Sequence, residues 1–197
     1  MIKDITAEDF IISKKDRNKL NGHDSFFILF TGFSGSGKST LAKNLDVLLN
    51  KKSLRTYCLD GDNIRKGINN NLSFSPEDRS ENLRRVAEVS KLFIDAGLIT
   101  IASFVAPYEK DRNRMKEIIG TRNCFEVHVS TSIDECERRD VKGLYAKVRK
   151  GEIKNFTGID APYEIPLKPN MSLDTENSNI ADLIDKIYFQ LKERFNL

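Results

Sequence analysis

Short apolar runs alternate along the chain with longer stretches in which apolar residues recur every three or four positions, the pattern of strands interleaved with amphipathic helices. The run Phe26-Phe27-Ile28-Leu29-Phe30 reads as a buried strand, and Leu41, Leu45, Leu48 and Leu49 after it mark one face of a helix. Residues 55–59 read as a second strand running into Asp60-Gly61-Asp62. Ser75-Pro76-Glu77-Asp78 is a strong helix start: a hydroxyl cap, proline in the first turn and two acids facing the positive helix end. That helix is expected to reach about Ala96, with Leu83, Val86, Val89, Ser90 and Phe93 near one face, and to stop at Gly97. Residues 99–104 predict a third strand, 110–119 a short helix closed by Gly120, and 124–129 a fourth strand. Ser132 caps a helix beginning at Ile133, and residues 171–173 make a short last strand. Ser178 then caps a C-terminal helix carrying Ile180, Leu183, Ile184, Ile187 and Leu191.

Strands alternating with helices place the chain in the α/β class, with a central parallel sheet covered by helices on both faces. Ligands of such sheets bind beyond the carboxyl ends of the strands. Asp60 and Asp62, the residues from Phe104 on and those from Ser130 on should therefore gather near the loop after the first strand. Residues 1–25 are mostly polar and read as an N-terminal extension of a single domain spanning 26–197. In that extension Thr6, followed by Glu8 and Asp9, could cap a short helix through Ile11 and Ile12. Residues 140–169 are rich in Gly, Pro and Lys, with apolar periodicity only near 144–150, which suits a mobile lid over about 140–160.

At 197 residues the chain can bury a real core within one domain. Its net charge of +3 is spread along the sequence, which favours anionic ligands weakly and a nucleic-acid-binding tail not at all. No apolar stretch approaches the ~20 residues needed to span a bilayer, and the N-terminus lacks a secretory pattern. Cys58, Cys124 and Cys136 are spaced unlike any metal site and lie in or beside apolar segments, so buried free thiols in a reducing cytoplasm are expected.

The most informative stretch is Gly32-Phe33-Ser34-Gly35-Ser36-Gly37-Lys38-Ser39-Thr40, a glycine-rich turn between a strand and a helix. Gly32, Gly35 and Gly37 permit backbone angles that let successive N–H groups point into one concavity, where a phosphate chain also meets the helix N-terminus. Lys38 can then reach β- and γ-phosphates and the Ser39 hydroxyl can ligate Mg²⁺, so the pattern reads as an ATP-type phosphate loop spanning Gly32, Ser34–Thr40. No Asn-Lys-x-Asp base-recognition motif accompanies it, which argues against a switch GTPase.

Asp60 and Asp62 stand at a strand end where one acid could accept a hydroxyl proton and the other hold Mg²⁺; they could equally cap the next segment as an Asx turn. Arg79 and Asn82 share a helical face and suit a phosphate-bearing substrate, with Arg65 nearby. Arg84 and Arg85 read instead as a solvated face with i,i+4 pairs. Phe74 is either a hydrophobic staple or a platform for a base. Lys142, Lys147, Arg149, Lys150 and Lys154, with Phe156, could close over a phosphate chain or simply be solvated. His128 lies within a strand and reads as structural.

Taken together, residues 32–40, Leu59-Asp60-Gly61-Asp62-Asn63-Ile64-Arg65, residues 74–82, Lys142-Gly143-Leu144-Tyr145 and Phe156-Thr157-Gly158-Ile159-Asp160 closely resemble adenylylsulfate (APS) kinases. The resemblance runs from about Phe26 to the C-terminus. It implies a P-loop kinase fold and transfer of the ATP γ-phosphate to the 3′-hydroxyl of APS, giving PAPS, the activated sulfate donor. It further implies Mg²⁺ as cofactor, a homodimer, and a functional link to ATP sulfurylase. Residue by residue, it points to Lys38, Asp60 and Asp62 as catalytic, with Asp62 nearer the 3′-hydroxyl, and to Ser39 and Asp60 nearer Mg²⁺. Arg65, Arg79 and Asn82 match positions that hold the phosphosulfate, Phe74 and Phe156 those that sandwich the adenine, and Lys142 the lid lysine; Val105 and Thr157 complete the acceptor side.

Where the family often reads Ser-Pro-Tyr-Arg, this chain has Ala106-Pro107-Tyr108-Glu109. A role for that serine cannot operate here, and Glu109 is expected to remove a cation near the substrate side. Ala106 and Glu109 therefore motivate an alternative, a kinase of the same fold acting on the 3′-hydroxyl of a different nucleotide, for example a phosphoramidate-linked cytidine nucleotide.

Overall fold

The computed structural model describes residue 8 and residues 10–197. Strands β1 (Phe27–Thr31), β2 (Thr56–Asp60), β3 (Ile99–Ser103), β4 (Cys124–Val129) and β5 (Met171–Leu173) form one sheet of order β2-β3-β1-β4-β5, with every pair parallel. The helices are α1 (Lys14–Asn21), α2 (Lys38–Lys51), α3 (Gly61–Lys66), α4 (Pro76–Asp95), α5 (Glu109–Ile119), α6 (Ile133–Arg139), α7 (Leu144–Arg149) and α8 (Ile180–Arg194).

Side chains alternate faces along a strand, and β1 divides its apolar run accordingly. Phe26, Ile28 and Phe30 pack with Leu41, Leu45 and Leu49 of α2 and with Leu183, Ile187 and Leu191 of α8. Phe27 and Leu29 face the other way, against Leu83, Val86 and Ala87 of α4 and Met115 of α5. This two-sided burial explains why β1 reads as a continuous apolar run. Each fully buried side chain, such as Ile28 or Leu45, contributes about 1.5–3 kcal/mol of transfer free energy.

Strand β1 sits one residue later than the sequence pattern places it, because Thr31 still pairs with His128 of β4. Strand β2 likewise extends to Asp60, which pairs with Ser103. Both shifts carry polar residues to the carboxyl edge of the sheet.

At the N-terminus the expected helix does not include Ile11 and Ile12, which lie in a bend; Thr6, its supposed cap, is outside the described residues. Ser13 and Asp16 instead build a capping box that starts α1 at Lys14. Helix α1 docks on the domain through Arg17 to Asp95 at 3.2 Å and Asn21 Nδ2 to the Gly97 carbonyl at 2.9 Å. At the other end the cap of α8 is Asn179, not Ser178, its side chain accepting from the Ala181 N–H at 2.8 Å. Cys124 and Cys136 are buried thiols as expected, whereas Cys58 is only partly buried because β2 is an edge strand.

Candidate active site

The carboxyl ends of β1, β2 and β3 open into a cleft of about 690 Å³, within the range of small-molecule sites. One wall is the loop joining β1 to α2. Its backbone needs glycine for different reasons at different points. At Gly32 an added Cβ would lie 2.5 Å from the Val129 carbonyl, so the loop could not approach β4; Gly37, at φ +97°, turns the chain into α2. No side chain caps the N-terminus of α2, leaving its first N–H groups available to an anion.

The loop is held from behind. Thr131, just after β4, and Thr175, just after β5, both donate to the Ser36 carbonyl, at 3.2 and 2.9 Å. Ser36 itself is buried and Gly32 packs on β4, so these two residues support the loop without lining the cleft. Ser34, Gly35, Gly37, Lys38, Ser39 and Thr40 do line it. Lys38 folds inward, its Nζ donating to the Phe33 carbonyl at 2.5 Å, and burial pushes its pKa down to about 8. Ser39 Oγ lies 3.1 Å from Ser103 Oγ at the end of β3.

The facing wall comes from α3, α4 and the loop after β3. Asp60 caps α3, accepting from the Asn63 N–H at 2.9 Å, so the capping role weighed from sequence is real; the same residue also lines the cleft. Asp62, one residue into α3, is exposed and pairs with Lys142 at 2.6 Å. Arg65 donates to the Ser73 carbonyl at 2.8 Å and lies over the Phe74 ring, 4.3 Å from its centroid. Phe74 is 62% exposed, which rules out the staple and leaves its ring open to the cleft.

Arg79 joins α4 to the segment after α7. Its Nε donates to the Phe74 carbonyl, Nη1 to Thr157 Oγ1 at 2.8 Å and Nη2 to the Asn155 carbonyl at 2.7 Å. Asn82, Val105, Phe156 and Thr157 line the cleft as well. Burial pushes the guanidinium pKa of Arg65 and of Arg79 down from its ordinary value.

The 140–169 segment is docked rather than free-standing here. Asp140 accepts from the N–H groups of Tyr145 and Ala146, fixing the start of α7, and the Tyr145 hydroxyl donates to the Ser34 carbonyl at 2.9 Å. Phe156 packs edge-on against Tyr145. Of the basic residues, Lys142 and Lys154 line the cleft, whereas Arg149 pairs with Glu137 and Lys147 and Lys150 lie elsewhere.

Glu109 departs from expectation. It opens α5 and lines a separate cavity of about 300 Å³ with Arg112, Lys116 and Glu126, away from the cleft. Its main-chain N–H donates to the Glu164 carboxylate at 2.7 Å. Ala106 does line the cleft, in an αL-like conformation at φ +44°, with its carbonyl accepting from buried Arg112 at 2.8 Å. Arg84 pairs with Glu81 and Glu88 as a helix-face ion pair, but Arg85 also binds the Ile68 carbonyl and Asn71, tying a loop to α4. His128 is structural, set against Ser172 and the Tyr163 ring.

Ser103, Arg139 and Tyr145 line the cleft as well. Tyr145 stands in the Lys142–Tyr145 motif and was legible there; Ser103 and Arg139 carry no local signal. Among the described residues no cluster of three or more His, Cys, Asp or Glu could hold a metal. Ser39 and Asp60 nevertheless offer a hydroxyl and a carboxylate, a hard oxygen set that fits Mg²⁺ carried mainly by phosphates and water.

Residues 24–174 match the family model described as adenylylsulphate kinase. The chain is 50% identical over 192 residues to the adenylyl-sulfate kinase of Staphylococcus carnosus, covering 98% of this chain and 96% of that one. It is 54% identical over 179 residues to that of Bacteroides thetaiotaomicron, covering 91% and 89%. Among solved structures, the Mycobacterium tuberculosis APS kinase in complex with AMPPNP and APS superposes with a TM-score of 0.83 at 40% identity, over 86% of this chain and 98% of that one. The chain belongs to the adenylylsulfate kinase family.

Proposed function

We propose that this protein is an ATP-dependent adenylylsulfate 3′-phosphotransferase, converting ATP and APS to ADP and PAPS. The observation that carries the reading is the cleft itself, which sets a phosphate loop opposite a wall of two acids, two guanidinium groups and an amide. A loop alone binds a nucleotide; the facing wall supplies what a second, anionic nucleotide needs.

In this mechanism the N–H groups of the loop and the N-terminus of α2 hold the β- and γ-phosphates, and Lys38 leaves the Phe33 carbonyl to neutralise the charge that develops there. Asp62 accepts the proton of the acceptor 3′-hydroxyl, whose oxygen forms the new P–O bond as the bond from the γ-phosphorus to the ADP oxygen breaks. Asp60 and Ser39 would hold Mg²⁺, which would supply charge neutralisation on the phosphates. Arg65, Arg79 and Asn82 hold the phosphosulfate, Phe74 and Phe156 stack on the adenine, Val105 and Thr157 complete the acceptor wall, and Lys142 covers it. Residues 140–160 act as a lid hinged beyond the Tyr145 anchor, and the working unit is a homodimer, checked by sedimentation.

Purified protein given MgATP and APS should yield PAPS and ADP; absence of turnover across a wide APS range overturns the reading. Ala106 keeps one alternative in view, a different acceptor nucleotide. A panel including phosphoramidate-linked cytidine nucleotides decides between them. The position of Glu109 outside the cleft removes one of the two reasons for that alternative.

A further inference from the structure

Asn69 is fully buried outside the cleft and takes no part in the chemistry above. Its amide lies between two groups of fixed polarity. Arg85 Nη1, which can only donate, is 3.5 Å from Asn69 Oδ1. The main-chain carbonyl of Asn82, which can only accept, is 3.4 Å from Asn69 Nδ2. These neighbours set the amide one way round, oxygen toward Arg85 and nitrogen toward α4. Arg85 is itself tied down, by Glu81 at 2.8 Å, the Ile68 carbonyl at 3.1 Å and Asn71 Oδ1 at 2.8 Å. Arg84 and Arg85 hold the Glu81 carboxyl down at about 2, so this anchor stays ionised at any working pH.

With its orientation set, Asn69 Nδ2 donates to Asn82 Oδ1 at 2.9 Å. The oxygen of Asn82 is thereby committed to the interior. Its Nδ2 is the amide atom left for the cleft, and among the described residues that nitrogen has no acceptor in the protein.

We infer that Asn69 is a positioning residue: it fixes the polarity of the Asn82 amide so that the cleft receives an N–H donor and not a carbonyl oxygen. An unconstrained amide could turn either end outward, and an outward oxygen repels an anionic group. The Arg85–Asn69–Asn82 relay therefore selects for the negative charge of the acceptor. The inference rests on the reading of Asn82 as a contact to the acceptor nucleotide.

The reversal can be forced. In Asn69→Asp the carboxylate still accepts from Arg85 but cannot donate, so Asn82 turns to donate its Nδ2 to the new side chain and shows Oδ1 to the cleft. The KM for the acceptor should then rise about tenfold or more, the size of one hydrogen bond to a charged group, with the KM for ATP unchanged. In an Asn82→Ala background the same substitution should add nothing further to the acceptor KM, because its effect passes through Asn82. Should Asn69→Asp fail to fold, Asn69→Ser removes the relay without adding charge and enters the same cycle. An acceptor KM within twofold of the parent, or additive effects in the double variant, overturns the role of Asn69 while leaving the Asn82 contact standing. An Asn82→Ala variant with an unchanged acceptor KM overturns that contact, and the positioning role with it.

Discussion

Lys142 Nζ lies 2.6 Å from Asp62 Oδ2, an ion pair that joins the loop before α7 to the first turn of α3 across the mouth of the cleft. Both side chains are more than half exposed, so the pair contributes little to folding. Its importance is positional: it sets a cation beside the carboxylate proposed to take the acceptor proton.

Lys142→Ala should therefore separate stability from chemistry. Loss of an exposed pair costs about 0–1 kcal/mol, so the melting temperature should barely move. Turnover should fall about tenfold to a hundredfold, as when one electrostatic contact to the reacting groups is removed. Normal turnover would show the pair to be incidental.

Asp62→Asn removes the proton acceptor while keeping the shape of the side chain. Steady-state kinetics should show kcat reduced by about 10²–10⁴, with the KM for ATP little changed. Near-normal turnover would reassign the base.

Burial holds the Lys38 ammonium at about 8, against 10.5 for a free lysine. Between those values the unfolded chain keeps a proton on this lysine that the folded chain has shed, so the contribution of Lys38 to stability rises with pH across that window. Below about pH 8 both states are protonated and the folded protein bears the full cost of the buried charge. The unfolding free energy of the parent minus that of Lys38→Met should thus rise with pH across the window, the thiols common to both cancelling in the difference. ATP restores a counter-charge, so binding near pH 8.5 should take up a fraction of a proton, read by calorimetry in buffers of different ionisation enthalpy.

Arg112 and Glu126 form a buried ion pair at 3.1 Å, each side chain 3% exposed or less, and Arg112 also supports the Ala106 carbonyl. Arg112→Met leaves Glu126 with Lys116 alone and should cost about 3–5 kcal/mol in denaturant unfolding. Adding Glu126→Leu should recover part of that loss, because the charge left without its partner is then gone.

The sheet, its helices and the phosphate loop were legible because their signals are local: apolar period, glycine spacing, a Ser75 cap. Two local signals misled, both at helix starts: the first helix begins with the Ser13–Asp16 capping box, and Asn179, not its neighbour Ser178, caps α8. What could not be read are contacts across sequence. Arg79 meets Thr157 from 78 positions away, and Asn69 meets Asn82 from 13, through orientations no periodicity encodes. The main chain at Glu109 is bound by Glu164, 55 residues on. The acceptor side was recognisable from its motifs and the family they resemble, but its wiring was not.

The Ser36 carbonyl, pulled back by Thr131 and Thr175, has a thermodynamic consequence. A binding loop that is ordered only by its ligand spends part of the interaction on conformational entropy. Here two hydroxyls from the ends of neighbouring strands have already imposed the bend. Triphosphate binding is thus spared that ordering, and the loop serves as a rigid reference against which the second nucleotide is placed.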